Sequence, residues 1–447
     1  MKENIMDIKT YIQQHPYQAY SYSYPHKNSY RQLEESLALH EAWQQESLSS
    51  LFLYLHIPFC EMRCGFCNLF TLANPQDEMI EAYLHALLID IDRTAQSLEG
   101  AQFARLALGG GTPSLMSVPQ IERLFSSLMK QLALDTACVP TSFEVSPYTA
   151  NAEKIKLLKD IGVERISIGI QSFIEEETKQ IGRHQPPKQL NAALENIKAQ
   201  NFTTLNLDLI YGIPGQTETS WKYTLEQTLR HAPQEIYLYP LYIRPLTGIG
   251  KRDLKKQQTT EDTRKRLYRI GRDYLIEQGY EQLSLRMFRK VGLGEESGPV
   301  YSCQEDGMLG LGVGARSYTS QLHYSSHYAV SRRGVTDIVN HYVDSIHSAT
   351  NAIDYGFELN KDDQRRRYLI LSLLSSEGIK FDLYQNRFET ELLQDFPELD
   401  QLVQHEFAQS AVNTMALTQK GLEYSDSIGP WLYSSKVNRL SSTCDVQ

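Results

Sequence analysis

From residue 51 onward, short apolar runs rich in branched and aromatic residues alternate with amphipathic runs of helical period, and this alternation limits the fold more than any other feature of the chain. The short runs are LFLYLH (51–56), RLALG (105–109), TSFEV (141–145), RISIGI (165–170), TLNLDLI (204–210) and EIYLY (235–239). Between them lie stretches such as MIEAYLHALLIDID (79–92) and VPQIERLFSSLMK (118–130), whose apolar residues recur every three or four positions. Strands separated by helices imply parallel β/α units. Six such units predict an α/β fold, a partial or open (β/α)6 TIM-like barrel.

Outside that stretch the pattern changes. Residues 1–50 read as a polar, Tyr-rich arm containing YSYSYPHKNSYR (20–31), with little regular structure and then a helix near 33–45. Past about 285, a glycine-rich strip, GMLGLGVGARSY (307–318), precedes a tail that reads as mostly helical, with helical runs at 362–374, 381–388 and 394–403. ALTQKGLEY, from Ala416, resembles the β-ribbon of a winged-helix module. The expected division is therefore an arm (1–50), a barrel (51–285) and a C-terminal domain (286–447).

The chemistry is concentrated just after the first strand. Cys60, Cys64 and Cys67 fall within eight residues, too close together to be held apart. Closely spaced thiolates hold soft metals and iron–sulfur clusters. A structural zinc site would want a fourth ligand, usually from a second paired set, and no C-x-x-C follows downstream. Three ligands without a fourth suggest a [4Fe–4S] cluster with one iron open to a small molecule. Cys138, Cys303 and Cys444 lie far apart and read as isolated thiols.

Composition narrows the surroundings. No apolar run is long enough to cross a bilayer, and the N-terminus has no apolar signal core; the expected compartment is the cytoplasm, where thiols stay reduced. A net charge of −10 argues against nonspecific nucleic-acid binding. The 27 tyrosines could wall a flat substrate or serve as ordinary surface and core residues.

Barrel enzymes carry their chemistry at the C-terminal ends of the strands, and unusual residues fall there. GGGTPS (109–114) ends the second strand, where backbone without side chains lets a ligand approach. Glu144 ends the third. Gln171 and Arg183 follow the fourth, and Arg183 suits a carboxylate because its fork is bidentate. Asp208 interrupts an apolar strand and needs a partner if buried. His56 reads equally as an acid acting on substrate or as a satisfied core histidine.

The spacing C-x-x-x-C-x-x-C after YLHIPF resembles the signature of radical S-adenosylmethionine (SAM) enzymes. The surrounding words are similar to the branch of oxygen-independent coproporphyrinogen III oxidase and its relatives, and the likeness runs from about Leu51 into the C-terminal region. That resemblance implies the same (β/α)6 fold, with Cys60, Cys64 and Cys67 as ligands of a [4Fe–4S] cluster and SAM as co-substrate. It implies that Gly110, Gly111 and Thr112 cradle the amino end of SAM, and that Glu144, Gln171, Arg183 and Asp208 make further cofactor or substrate contacts. Tyr54 would stand beside the cluster and Phe66 on the adenine. Apart from the resemblance, a buried guanidinium needs an anionic partner, so Arg316 is expected to meet a carboxylate of substrate or SAM, or else to form a structural ion pair with Glu305 or Asp306. The implied partners are a small-molecule substrate, with a tetrapyrrole as the family precedent, and an electron donor such as flavodoxin or ferredoxin. The implied outcomes are hydrogen abstraction leading to decarboxylation or methylation, or haem carriage without turnover.

Three places depart from the family pattern. Leu69 stands where the true oxidase carries a further cysteine. VYSCQEDGM (300–308) replaces the His/Asn/Arg-Tyr-Trp segment of the haem chaperones. Arg316 stands where the oxidase is apolar. The expectation is a sister subfamily that does not efficiently decarboxylate coproporphyrinogen III.

Overall fold

The computed structural model describes residues 6–17, 23–244, 246–250, 261–293, 299–347 and 352–443. Cys444 lies outside them.

Six parallel strands form the centre: β2 (Leu51–Ile57), β5 (Phe103–Gly110), β6 (Thr141–Val145), β7 (Arg165–Gln171), β8 (Thr204–Tyr211) and β9 (Glu235–Pro240), hydrogen-bonded in that order. A small parallel pair, β3 (Phe59–Cys60) and β4 (Leu72–Ala73), brackets the cysteine loop. Helices cross between the strands as the alternation requires. In Val118–Gln131 the buried residues are Ile121, Leu124, Phe125 and Leu128, one face at 3.6 residues per turn. Leu51, Leu53, Leu55 and Ile57 are likewise buried along β2. Each such side chain contributes about 1.5–3 kcal/mol on burial, so the alternating pattern itself drives these units together.

The sheet continues on both flanks. Beyond β9 lie β11 (Met287–Lys290) and β10 (Tyr280–Gln282), both antiparallel. On the other side β12 (Met308–Leu311) runs parallel to β2, and β13 (Arg316–Tyr318), β14 (Leu322–Ser325), β15 (Ile353–Glu358) and β1 (Arg31–Leu37) follow as antiparallel strands. The result is one open sheet of thirteen strands.

Two expectations are corrected here. The helix expected over 33–45 is strand β1 followed by a short helix, Leu39–Trp43. Leu33 and Leu37 are four apart, a spacing that lies on one face of either element; they pack on Leu322, Tyr324 and Ile353, and the pairing with β15 decides between the two. The glycine-rich strip is not a lead-in to helices. It is β12 and a turn into β13, so strands β12–β15 extend the central sheet before the helical tail begins with Lys361–Leu373.

That tail carries a second core around Leu369, Leu373, Tyr384 and Leu399. Its three-stranded sheet joins β16 (Ile379–Lys380), β18 (Thr414–Leu417) and β17 (Ala408–Ser410). Only Ala416 and Leu417 of the expected ribbon are strand; Thr418 caps a helix at Gln419–Glu423, its side chain accepting from Gly421 N. The N-terminal arm is stitched to the tail: Tyr24 Oη donates to Asp363 at 2.9 Å, and Trp431 Nε1 donates to Met6 O at 2.8 Å.

Candidate functional site

Cys60 ends β3, and Cys64 and Cys67 sit in the loop from β3 to β4, at the C-terminal ends of the parallel strands. The loop is clamped from two sides: Gly65 N donates to Ile181 O at 2.8 Å, and Ile249 N donates to Gly65 O at 2.8 Å. Burial pushes the Cys60 and Cys67 thiols up, and nearby thiols push in the same direction: Cys67 and Cys64 act on Cys60, and Cys64 acts on Cys67. The three are thus within electrostatic reach of one another. Cys138 and Cys303 are exposed, free thiols elsewhere.

Arg183 ties this loop to the sheet. Its Nη2 donates to Gly169 O at 2.7 Å, its Nε to Gln185 Oε1 at 3.0 Å and its Nη1 to Cys64 Sγ at 3.3 Å. Gln171 closes β7 with a φ of 68°, unusual for a residue with a side chain. Its buried Oε1 has no partner among the described residues. Strain and an unsatisfied polar atom at one strand end are features of ligand sites.

Two carboxylates stand across the strand ends, Asp208 half-buried and Glu144 enclosed by protein but open to the surface. Gly110 N donates to Glu144 Oε2 at 3.2 Å, and Asn206 Nδ2 donates to Asp208 Oδ1 at 2.9 Å. Burial pushes Glu144 up to about 7, with the Asp208 charge adding to it and the Gly110 N–H opposing. Burial pushes Asp208 up to about 6, opposed by the Asn206 hydrogen bond and by Arg165 and Arg183. Asn206 Oδ1 is buried without a partner among the described residues. The arrangement is a polar floor able to accept an ammonium, hydroxyls or an amide edge.

His56 is a core histidine. Its Nε2 is 2.9 Å from Phe70 O, a group that can only accept, so Nε2 carries the proton and Nδ1 accepts from Tyr54 Oη at 3.2 Å. Burial pushes His56 down to about 4. A Cβ at Gly110, where φ is 106°, would overlap its ring, and one at Gly314 would approach the other side at 2.9 Å. Thr112 N donates to Phe59 O at 2.6 Å, and Gly111 packs under the same carbonyl. Phe66 is half-buried against Ile181, Ile210, Ile213 and Ile249.

Arg316 does not form the expected ion pair. The Asp306 carboxylate accepts instead from Ser302 N at 2.6 Å, and Arg316 Nη1 donates to Ser23 Oγ at 3.2 Å. Asn206 carries a sequence signal of its own: it lies two residues from Asp208, on the same strand face of an apolar run. Gln185, Lys27 and Tyr328 also reach the site, from distant segments with no local pattern to mark them.

A family model described as the radical SAM superfamily matches residues 54–228. The heme chaperone HemW of Escherichia coli (strain K12) is 30% identical over 275 residues, covering 60% of this chain and 70% of the chaperone. The oxygen-independent coproporphyrinogen III oxidase of the same organism is 27% identical over 399 residues, covering 85% of each. The solved structure of coproporphyrinogen III oxidase (HemN) from Escherichia coli superposes with a TM-score of 0.81 at 22% identity, over 96% of this chain and 99% of that one.

Proposed function

Because this chain belongs to the radical SAM superfamily, whose members use a [4Fe–4S] cluster and SAM, and has relatives in both HemN and HemW, we propose that it is a radical SAM enzyme acting on a small tetrapyrrole-like molecule. The observation that carries the reading is that Arg183 bridges the short segment holding Cys60, Cys64 and Cys67 to the end of β7, bonding Cys64 Sγ and Gly169 O, where the buried Gln171 Oε1 has no partner among the described residues. Three thiols and an unsatisfied polar floor fit a three-ligand cluster with SAM above it.

In this reading the cysteines hold the cluster. Burial raises the Cys60 and Cys67 thiols, so loading releases protons and affinity rises with pH. Arg183 donates toward the Cys64 sulfur and steadies its negative charge. Gly110, Gly111 and Thr112 present a backbone edge to the amino end of SAM, with Glu144 and Asp208 receiving its ammonium and hydroxyls. Tyr54, midway along β2, holds His56 near the strand's end, and Phe66 offers an apolar face to the adenine. When bound, the cluster and SAM supply one-electron chemistry able to break an unactivated C–H bond. The buried strand ends exclude water from it. A soluble one-electron donor such as flavodoxin or ferredoxin would serve it, in the cytoplasm.

A second reading is a haem carrier without turnover, favoured by the identity to HemW. Anaerobic reconstitution followed by a deoxyadenosine assay separates them. Deoxyadenosine release that a tetrapyrrole stimulates supports the enzyme. Stable haem binding without SAM cleavage overturns it in favour of the carrier.

A further inference from the structure

A buried ion pair joins the C-terminal tail to the rim of the site. Asp426, in the helix Ser425–Trp431, and Arg286, immediately before β11, have side chains only 2% and 1% exposed. Arg286 Nη2 donates to Asp426 Oδ1 at 2.6 Å and to Tyr242 Oη at 2.5 Å, and Tyr242 Oη donates to Asp426 Oδ2. Tyr242 lies two residues past β9, so this triangle also grips the chain as it leaves the last parallel strand.

That chain runs on to the cysteine loop. Leu241 N donates to Tyr211 O, the last residue of β8, at 2.9 Å, and Ile249 N closes on Gly65 O. A Cβ on Gly248 would lie 3.3 Å from Gly65, so the two backbones are in contact. Leu241 and Ile249 share one buried cluster with Ile181, and Phe66 and Tyr239 pack on it. The Tyr239 and Tyr242 rings face the Arg286 guanidinium, at 6.0 and 5.9 Å. Asp426 thus reaches Gly65 and Phe66, the two residues after Cys64, through Tyr242, Leu241 and Ile249.

Desolvation takes back most of what a buried ion pair gains, so such a pair is weak evidence for stability; what its directional bonds supply is a fixed register. The tail also has a second tie by another route. Glu423 accepts from Arg269 Nη2 at 2.8 Å and from Arg272 Nη1 at 3.3 Å, both on the helix Glu261–Glu277.

We propose that Asp426 is a positioning residue of the cofactor site. Through Tyr242 and residues 241–244 and 246–250 it sets where the loop bearing Cys64, Phe66 and Cys67 stands, which makes the tail a working part of the site. This rests on the proposed function in taking that loop as the seat of cluster and SAM.

The test uses the full-length protein and begins with its metal-free, reduced form. Alkylation of Cys64 and Cys67 by iodoacetamide is followed by peptide mass spectrometry, with the exposed Cys138 as reference and urea midpoints to verify folding. Three variants are compared. Asp426→Leu paired with Arg286→Met removes both charges and should keep a midpoint near wild type. Tyr242→Phe leaves the ion pair and cuts its link to the segment. Glu423→Gln weakens the other tie. The paired variant and Tyr242→Phe should alkylate Cys64 and Cys67 about tenfold faster, the change in local opening expected from one lost charge-assisted hydrogen bond. Cys138 should not change, and Glu423→Gln should match wild type. Wild-type rates in either folded variant overturn the proposal. An equal rise in Glu423→Gln also overturns it, since the effect would then be a general loosening of the tail. If the paired variant does not fold, Tyr242→Phe decides alone. After anaerobic reconstitution both variants should load iron yet bind SAM about tenfold more weakly; unchanged SAM affinity in both overturns the proposal. A wild type that takes up no cluster fails the proposed function instead, and the thiol rates then decide the positioning.

Discussion

Arg183 is fixed on Gly169 O at 2.7 Å and directs its other Nη at the Cys64 sulfur, 3.3 Å away. A cation donating to a ligand sulfur stabilises the more negative, reduced state of a cluster held there. Arg183→Met should therefore lower the reduction potential of the reconstituted protein, by on the order of 60 mV for a contact of about 1.4 kcal/mol, without loss of iron. An unchanged or higher potential in an electrochemical titration would show that the arginine does not act on the cluster.

Gly110 and Gly100 make a matched pair for the cage around His56. Both have positive φ, 106° and 83°, but a Cβ at Gly100 meets nothing within 4 Å whereas one at Gly110 overlaps the imidazole. Gly100→Ala should cost only the backbone term, about 1 kcal/mol. Gly110→Ala should cost about 2 kcal/mol more, from forced displacement in a packed interior, and should pull the Gly110 N–H from Glu144. Equal urea midpoints for the two variants would refute the cage.

What could be read in the sequence, and what could not, follows from the range of the interactions. The six central strands announce themselves because each is a local apolar run with a helix-period run behind it. The cysteine loop announces itself because its three thiols are neighbours in the chain. β1 was misread because Leu33 and Leu37 satisfy helix and strand alike, and only Tyr324 and Ile353, some 300 residues away, choose between them. The role of His56 could not be decided from sequence. It depends on Phe70 O and on two glycines, Gly110 and Gly314, from separate turns. Arg316 was visible as an oddity, yet its tyrosine and lysine surroundings come from the arm and from β13–β14, beyond the reach of any local pattern.

His56 gives a pH signature. Its folded value is about 4, against 6.5 when unfolded, so between those values the unfolded chain binds a proton that the folded one refuses. Stability therefore falls as pH falls through that window, by on the order of 3 kcal/mol for this group. Gln does not titrate. The His56→Gln variant should be less stable than wild type at pH 7, having lost a buried partner, and the gap should narrow on acidification from pH 6.5 to 4. A gap that stays constant across denaturation curves in that range would mean that His56 can be protonated in the folded protein.

Glu144 has the opposite sign. Its folded value is about 7, against 4.5 when unfolded, because burial and the Asp208 charge disfavour the carboxylate. Between pH 4.5 and 7 the unfolded chain gives up a proton that the folded chain keeps, so the folded state loses stability as pH rises. The isosteric Glu144→Gln change removes that loss. Without cofactor, the variant should match or fall below wild type near pH 5 and exceed it in stability at pH 8, with the difference growing between pH 4.5 and 7 and level above. The same change takes away a charge proposed to receive the SAM ammonium, so SAM affinity should drop by about tenfold or more at pH 8. Thermal unfolding across pH and equilibrium dialysis with SAM measure the two effects separately. Stabilisation at pH 8 with undiminished SAM affinity would leave Glu144 a strand-end acid with no part in the cofactor site; no stabilisation at all would mean that its charge is compensated in the empty protein.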